Sequence, residues 1–219
     1  MQRLQTAIDR YNEIRTRFWD DDYNTLLPVG PAASDEIARL QALEPRPLPQ
    51  DLEAFYRQFG GLQNWNNTES HCVQLPGPAQ LADGLEHADA WQRIRSLGLA
   101  DMIVYSWAND RPEFEPGRSF EQAELDALNA RYRCFGWYRT DTVAESAWYL
   151  YADEDGRFGA LYYDQDDFGG VRRELRAMLA ASPARQTLEE ALCESVERAR
   201  RAMVEWNGDG DEAEDDSAA

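Results

Sequence analysis

The chain has 219 residues, is 43% hydrophobic and holds seven Trp, ten Tyr and eight Phe, so it can bury a substantial core rather than stay disordered. Its formal charge is −19; six acids and no bases fall in residues 207–219, which leaves −13 on residues 1–206 (35 acids against 22 bases). A body of that charge repels nucleic acid and anionic membrane and attracts basic protein surfaces, and the complete absence of lysine excludes a P-loop lysine, a Schiff base and a lysine general base.

Leu4, Ile8, Tyr11, Ile14 and Phe18 form a helical stripe through the first nineteen residues. This stretch has no apolar h-region of a signal peptide, and nowhere do eighteen apolar residues run together as a membrane span requires. Asp20-Asp21-Asp22 ends the stripe as a solvated acidic turn or as part of an acidic contact surface. Pro28, Gly30 and Pro31 mark a loop, and Ser34 is placed to cap a helix over 35–43 with Ile37 and Leu40 inward. Pro45, Pro47 and Pro49 stiffen the connection to the next element.

That element organises the chain. In Leu48-Pro49-Gln50-Asp51-Leu52-Glu53-Ala54-Phe55-Tyr56-Arg57-Gln58-Phe59-Gly60-Gly61-Leu62, Leu52, Phe55, Tyr56 and Phe59 fall at i, i+3, i+4 and i+7 on one face. Pro49 suits the first turn, Asp51 and Glu53 complement the positive end of the dipole, and Gly60-Gly61 stops the helix. Residues 62–67 read as a polar loop with an exposed Trp65, 72–75 as a short strand, 79–97 as a helix facing inward through Leu81, Leu85 and Trp91, and 102–107 as a buried strand. A two-proline loop covers 109–117, and a helix runs from Ser119 to about Ala130, with Ser119 and Gln122 as a capping box.

The aromatic block 132–164 predicts three consecutive antiparallel strands: 133–138, 147–152 and 158–164. Asp155-Gly156 forms the second turn, because both residues tolerate positive φ. Gly169-Gly170 separates the acidic loop after 164 from a helix with Val171, Leu175, Met178 and Leu179 inward, which Pro183 breaks. Thr187-Leu188-Glu189-Glu190 opens a last helix to about Trp206, with Leu192, Val196, Ala199 and Met203 as its stripe. The expected architecture is α+β: one domain over 1–206, an antiparallel sheet of aromatic-rich strands with helices at both ends, and a disordered acidic tail over 207–219.

The helix preceding Leu48-Pro49, the Asp51-Leu52-x-x-Phe55-Tyr56 core and the closing Gly60-Gly61 resemble the N-terminal signature of the SUKH superfamily. The aromatic strands, the Asp155-Gly156 turn and the strand entering an acidic loop are similar to its second half; 109–130 is extra to its minimal pattern. That family is typified by a yeast cell-wall-synthesis regulator and by bacterial immunity proteins. The resemblance implies an α+β fold and a cytoplasmic protein that binds and neutralises a cognate secreted toxin, without enzymatic activity or cofactor. Many such toxins are nucleases with basic clefts, for which an acidic partner competes and which it meets quickly by electrostatic steering. The expected contact residues are Asp164, Asp166 and Asp167, with Trp65, Glu69, Asp153 and Asp155.

Other chemistry finds little purchase. The 153–155 and 164–167 carboxylates could serve a Ca²⁺ or Mg²⁺ site, hence a metal-dependent hydrolase, but Asp153-x-Asp155-Gly156 lacks the remaining EF-hand ligands. A glycosidase pair would need two acids facing across a cleft. His71 and His87 accompany no GxSxG, HExxH or catalytic-Cys signature. Cys72, Cys134 and Cys193 have neither zinc spacing nor an even count, which suits a reducing cytoplasm and predicts neither structural zinc nor a disulfide framework. The role of a regulatory scaffold, as in the yeast relative, differs only in the partner.

Overall fold

In the computed structural model the described residues are 1–19, 25–64, 72–89, 92–106, 120–140 and 146–208. Asp20-Asp21-Asp22, the 109–117 loop, Ser119 and residues 209–219 lie outside them. The fold is α+β: the described residues form eight helices and a six-stranded antiparallel sheet whose strands lie side by side in chain order. No helix among the described residues is long and apolar enough to cross a membrane.

Helix α1 (Gln2–Phe18) buries Leu4, Ile8, Tyr11 and Ile14. It packs along α8 (Leu188–Asn207), whose stripe is Leu192, Val196, Ala199 and Met203. The two helices run parallel: the Met1 amino group lies 2.5 Å from Glu189, and Arg15 reaches Met203 at the other end. At the start of α8 the Thr187 hydroxyl accepts the Glu190 N–H at 3.3 Å, while the Glu190 carboxylate accepts the Thr187 N–H at 2.8 Å. The Thr187 N–H, and then the Thr187 hydroxyl donating to the same carboxylate at 2.9 Å, hold the Glu190 pKa below its ordinary value. The sign follows from linkage: the contribution is complete above the ordinary glutamate pKa and is lost as pH falls through the folded value. Thr187→Ala is therefore expected to cost about 1 kcal/mol through the lost cap. It should also move the Glu190 titration, followed by carboxyl NMR, back up.

Strands β1 (Leu26–Pro28), β2 (Leu62–Asn64) and β3 (Val73–Leu75) are short, pairing Leu26 with Asn64 and Leu62 with Leu75. Residues 62–64, expected as loop, thus form a central strand. Three residues are too few to show alternation; β2 exists because β1 and β3 supply partners on both sides. Between β1 and β2 lie α2 (Ser34–Leu43) and α3 (Gln50–Phe59). Glu36 accepts the Ala33 N–H at 2.7 Å, so α2 starts from Ala33, and the Ser34 hydroxyl instead accepts from Arg57 of α3. Helix α3 buries Leu52, Phe55, Tyr56 and Phe59, and Gly60 ends it with φ 71°.

Helix α4 (Pro78–Glu86) stops well short of residue 97. The chain turns back so that Ile94 sits on Gly84, where a Cβ would come within 2.5 Å of Ile94 Cδ1, and the Ile94 N–H donates to the Gly84 carbonyl. The expected strand at 102–107 is instead helix α5 (Leu99–Ser106). Asn129, from α6 (Gln122–Arg131), accepts the Ala100 and Asp101 N–H groups and so caps α5 from a distant part of the chain. Helix α6 starts at Glu121, whose N–H donates to Glu124 at 2.8 Å.

The aromatic block forms β4 (Arg133–Tyr138), β5 (Ser146–Ala152) and β6 (Phe158–Asp164), with a register shift between Cys134 and Gly136. Side chains alternate faces. Tyr138, Trp148 and Tyr162 form one cross-strand row, over which Arg198 of α8 lies 4.4 Å from the Trp148 ring centre. The next residue, Tyr149, faces the other way and meets Ser106 of α5. Helices therefore cover both faces. Helix α7 (Phe168–Ala180) buries Val171, Leu175 and Met178 and packs on β6; Gly169 and Gly170 lie inside its first turn.

Candidate functional site

Antiparallel pairing decides which acids can act together. Through the pairs Leu26 with Asn64, Val73 with Tyr138 and Ser146 with Asp164, the start of β1, the end of β2, the start of β3, the end of β4, the start of β5 and the end of β6 all lie at one end of the sheet. Asp164 closes β6 at this end, and its Oδ1 accepts the Asp166 N–H at 2.9 Å in an Asx turn. Asp167 caps α7, accepting the Gly170 N–H at 2.9 Å. Asp166 and Asp167 are exposed and Asp164 half-buried. Tyr162 lies on the same face as Asp164 and donates to it at 3.3 Å; both Tyr162 and its neighbour Trp148 are half-buried. Asp164 thus stands beside Tyr162 and its neighbour Trp148, two rings that keep accessible surface, and Asp166 and Asp167 follow it in the next three residues. Burial first, then the adjacent Asp164 charge, pushes the Tyr163 phenol up to about 12, so it remains neutral.

Asp153 and Asp155 are at the opposite end of β6, about 20 Å away at the strand's rise per residue. Asp155 is exposed. Asp153 is only 6% exposed, and its carboxylate is committed. Oδ1 accepts the N–H groups of Asp155 and Arg157 at 3.0 and 2.9 Å, and Oδ2 accepts the Ser182 hydroxyl at 2.6 Å. Asp153 therefore closes the hairpin and ties it to the α7–α8 connection, which removes it from the expected contact surface. Trp65 and Glu69, like His71, lie outside the described residues; Asn64 and Cys72 beside them are at the Asp164 end.

Among the described residues, no three His, Cys, Asp or Glu side chains come together to hold a metal ion. Asp164 and Asp167 each spend an oxygen on a backbone N–H rather than aiming it at a common point. His87 pairs with Gln92 at 2.7 Å. Cys134 is buried, and that burial pushes its thiol up to about 12, the reverse of an activated nucleophile.

Two features escaped the sequence reading. One is a buried ion pair, Glu44 with Arg133, at 3.2 Å. The other is an open groove of about 800 Å³ between α1 and α8, bordered by Arg3, Arg10, Glu190, Glu194, Arg198 and Arg201. The i, i+3/i+4 spacing of the charges on each helix signals a solvated face, but only the parallel pairing of the two helices makes it a groove. Compared with protein-family models, curated proteins and solved structures, the chain matches none.

Proposed function

We propose that this protein is a binding protein of the immunity type, which engages a basic surface of a cognate secreted bacterial toxin in the cytoplasm of the producing cell and blocks it. The observation that carries this reading is that Asp164, bonded to the half-buried Tyr162 next to Trp148, and the exposed Asp166 and Asp167 that follow it gather at one end of the sheet. Carboxylates steer a basic partner into encounter, and aromatic rings supply area that can be buried once it arrives. The net charge of −19 favours the same class of partner. The resemblance of the Leu48–Leu62 stretch to the SUKH signature adds the toxin to that physical reading. A metal-dependent hydrolase at 164–167 draws no support from the directions in which those carboxylates bond.

The test is co-purification with the product of the neighbouring reading frame, followed by stopped-flow association at low ionic strength. Reversing Asp166 and Asp167 to Lys is expected to slow association about tenfold. The Asp166 reversal alone should change folding stability by no more than about 0.5 kcal/mol, whereas the Asp167 reversal removes the α7 cap and should cost about 1 kcal/mol. Asp153→Ala should do the opposite, costing about 1–3 kcal/mol of stability and leaving the association rate alone. An association rate indifferent to the Asp166 and Asp167 reversals would remove these residues from the interface.

A further inference from the structure

The α1/α8 groove borders the partner site through Arg198, which lies over Trp148, but its other residues are unused by that reading, and its charge sets it apart. Helices α1 and α8 together carry seven arginines and seven acids, so the whole −13 of residues 1–206 lies elsewhere. Along the groove the glutamates are already engaged. Glu190 holds the Thr187 cap, Glu194 pairs with Arg198, and Glu197 receives Arg200 through both carboxylate oxygens. Arg3 and Arg10 are exposed, and Arg201, 68% exposed, stands 3.7 Å from a glutamate that Arg200 already occupies. Arg198 is taken up by Glu194 and the Trp148 ring, so Arg3, Arg10 and Arg201 are the exposed cationic heads that the groove presents on a molecule that is otherwise strongly acidic.

Residues 209–219 carry Asp209, Asp211, Glu212, Glu214, Asp215 and Asp216 with no base. They leave α8 through Gly208, whose left-handed conformation (φ 81°) turns the chain off the helix axis. Arg201 and Arg198 lie about 10 and 15 Å back along α8 from Gly208. Three extended residues span about 10 Å and six about 20 Å, so Asp211 can reach Arg201 and the acids from Glu214 onward can reach the level of Arg198. We infer that the α1/α8 groove is an acidic-peptide site whose occupant is the chain's own 209–219 segment, held by Arg10 and Arg201, with Arg3 further along. Such docking screens the exposed arginines from other anions and draws six negative charges to one face. The inference stands independently of the toxin reading.

The experiment uses the full chain, with a nitroxide on Ser217→Cys in a Cys193→Ser background; the remaining cysteines, Cys72 and Cys134, are buried. Amide relaxation is read at about 0.02 M and about 0.5 M salt, conditions between which surface pairing is largely screened. Docking predicts broadening at Thr6 to Arg10 and at Cys193 to Arg198 in low salt. It should fall about fivefold in high salt, and equally when Arg10 and Arg201 are reversed to Glu. Arg173→Glu, on α7, should leave it unchanged. Broadening confined to the last turn of α8, or falling as much with Arg173→Glu as with the groove reversals, would overturn the inference.

Discussion

Arg133→Ala is expected to cost about 3–5 kcal/mol of folding stability, because it leaves one charge of a buried pair without its partner. The Arg133 and Glu44 side chains are only 4% and 5% exposed and meet at 3.2 Å. Arg133 also donates to the carbonyls of Pro47 and Arg46 at 2.7 and 2.6 Å, pinning the proline-rich connection before α3 onto the first residue of β4. Burial is the larger influence on both charges, lowering the Arg133 pKa and raising that of Glu44; each partner's charge opposes the shift of the other. The pair is thus a locating device that water would otherwise favour separating. The double replacement Glu44→Leu with Arg133→Met should lose less than Arg133→Ala alone, since it leaves no orphaned charge. Urea denaturation of the three variants checks the order. For Glu44 the pH sign is opposite to that of Glu190: with its folded pKa raised, its stabilising contribution is complete below the ordinary glutamate pKa and is lost as pH rises through the folded value. Glu44→Gln should flatten that part of the stability–pH curve.

The second large effect is expected at Gly60. Its φ of 71° disfavours any side chain, and a Cβ there would lie 1.7 Å from the Gly30 carbonyl oxygen, a backbone atom held by the hydrogen bond of the Gly30 N–H to the Phe59 carbonyl. Gly60→Ala therefore combines left-handed strain with a clash that no rotamer can relieve, and should cost on the order of 3 kcal/mol or more. Gly156 separates the two contributions. It has nearly the same φ, 72°, but a Cβ there meets nothing within 4 Å. Gly156→Ala should cost only the strain, about 1–2 kcal/mol. Equal losses at the two sites, measured by denaturation, would show that the close approach of residues 30 and 60 relaxes freely.

What the sequence determined by itself was whatever short-range chemistry fixes. Helix α3 is bounded by Pro49 and Gly60 and carries its whole buried face in eight residues. Helix α8 begins at a capping box written in four consecutive residues, and the β5–β6 hairpin turns at Asp155-Gly156 between two runs long enough to alternate. The acids of the candidate site were visible for the same reason. The tertiary structure decided the rest, because the deciding partners are remote in sequence. Met102 and Ile103 form an apolar run that suits a buried strand or a buried helix equally. Asn129 settles it as helix by capping α5 from α6. Three-residue β2 exists only between β1 and β3, and α4 ends where Ile94 folds back onto Gly84. Asp153 and Asp166 look alike as exposed-loop acids. Ser182 and the hairpin N–H groups draw one into the fold, and the end of β6 leaves the other in water. A carboxylate's charge is intrinsic, but its accessibility depends on which donors the folded chain brings within about 3 Å of it.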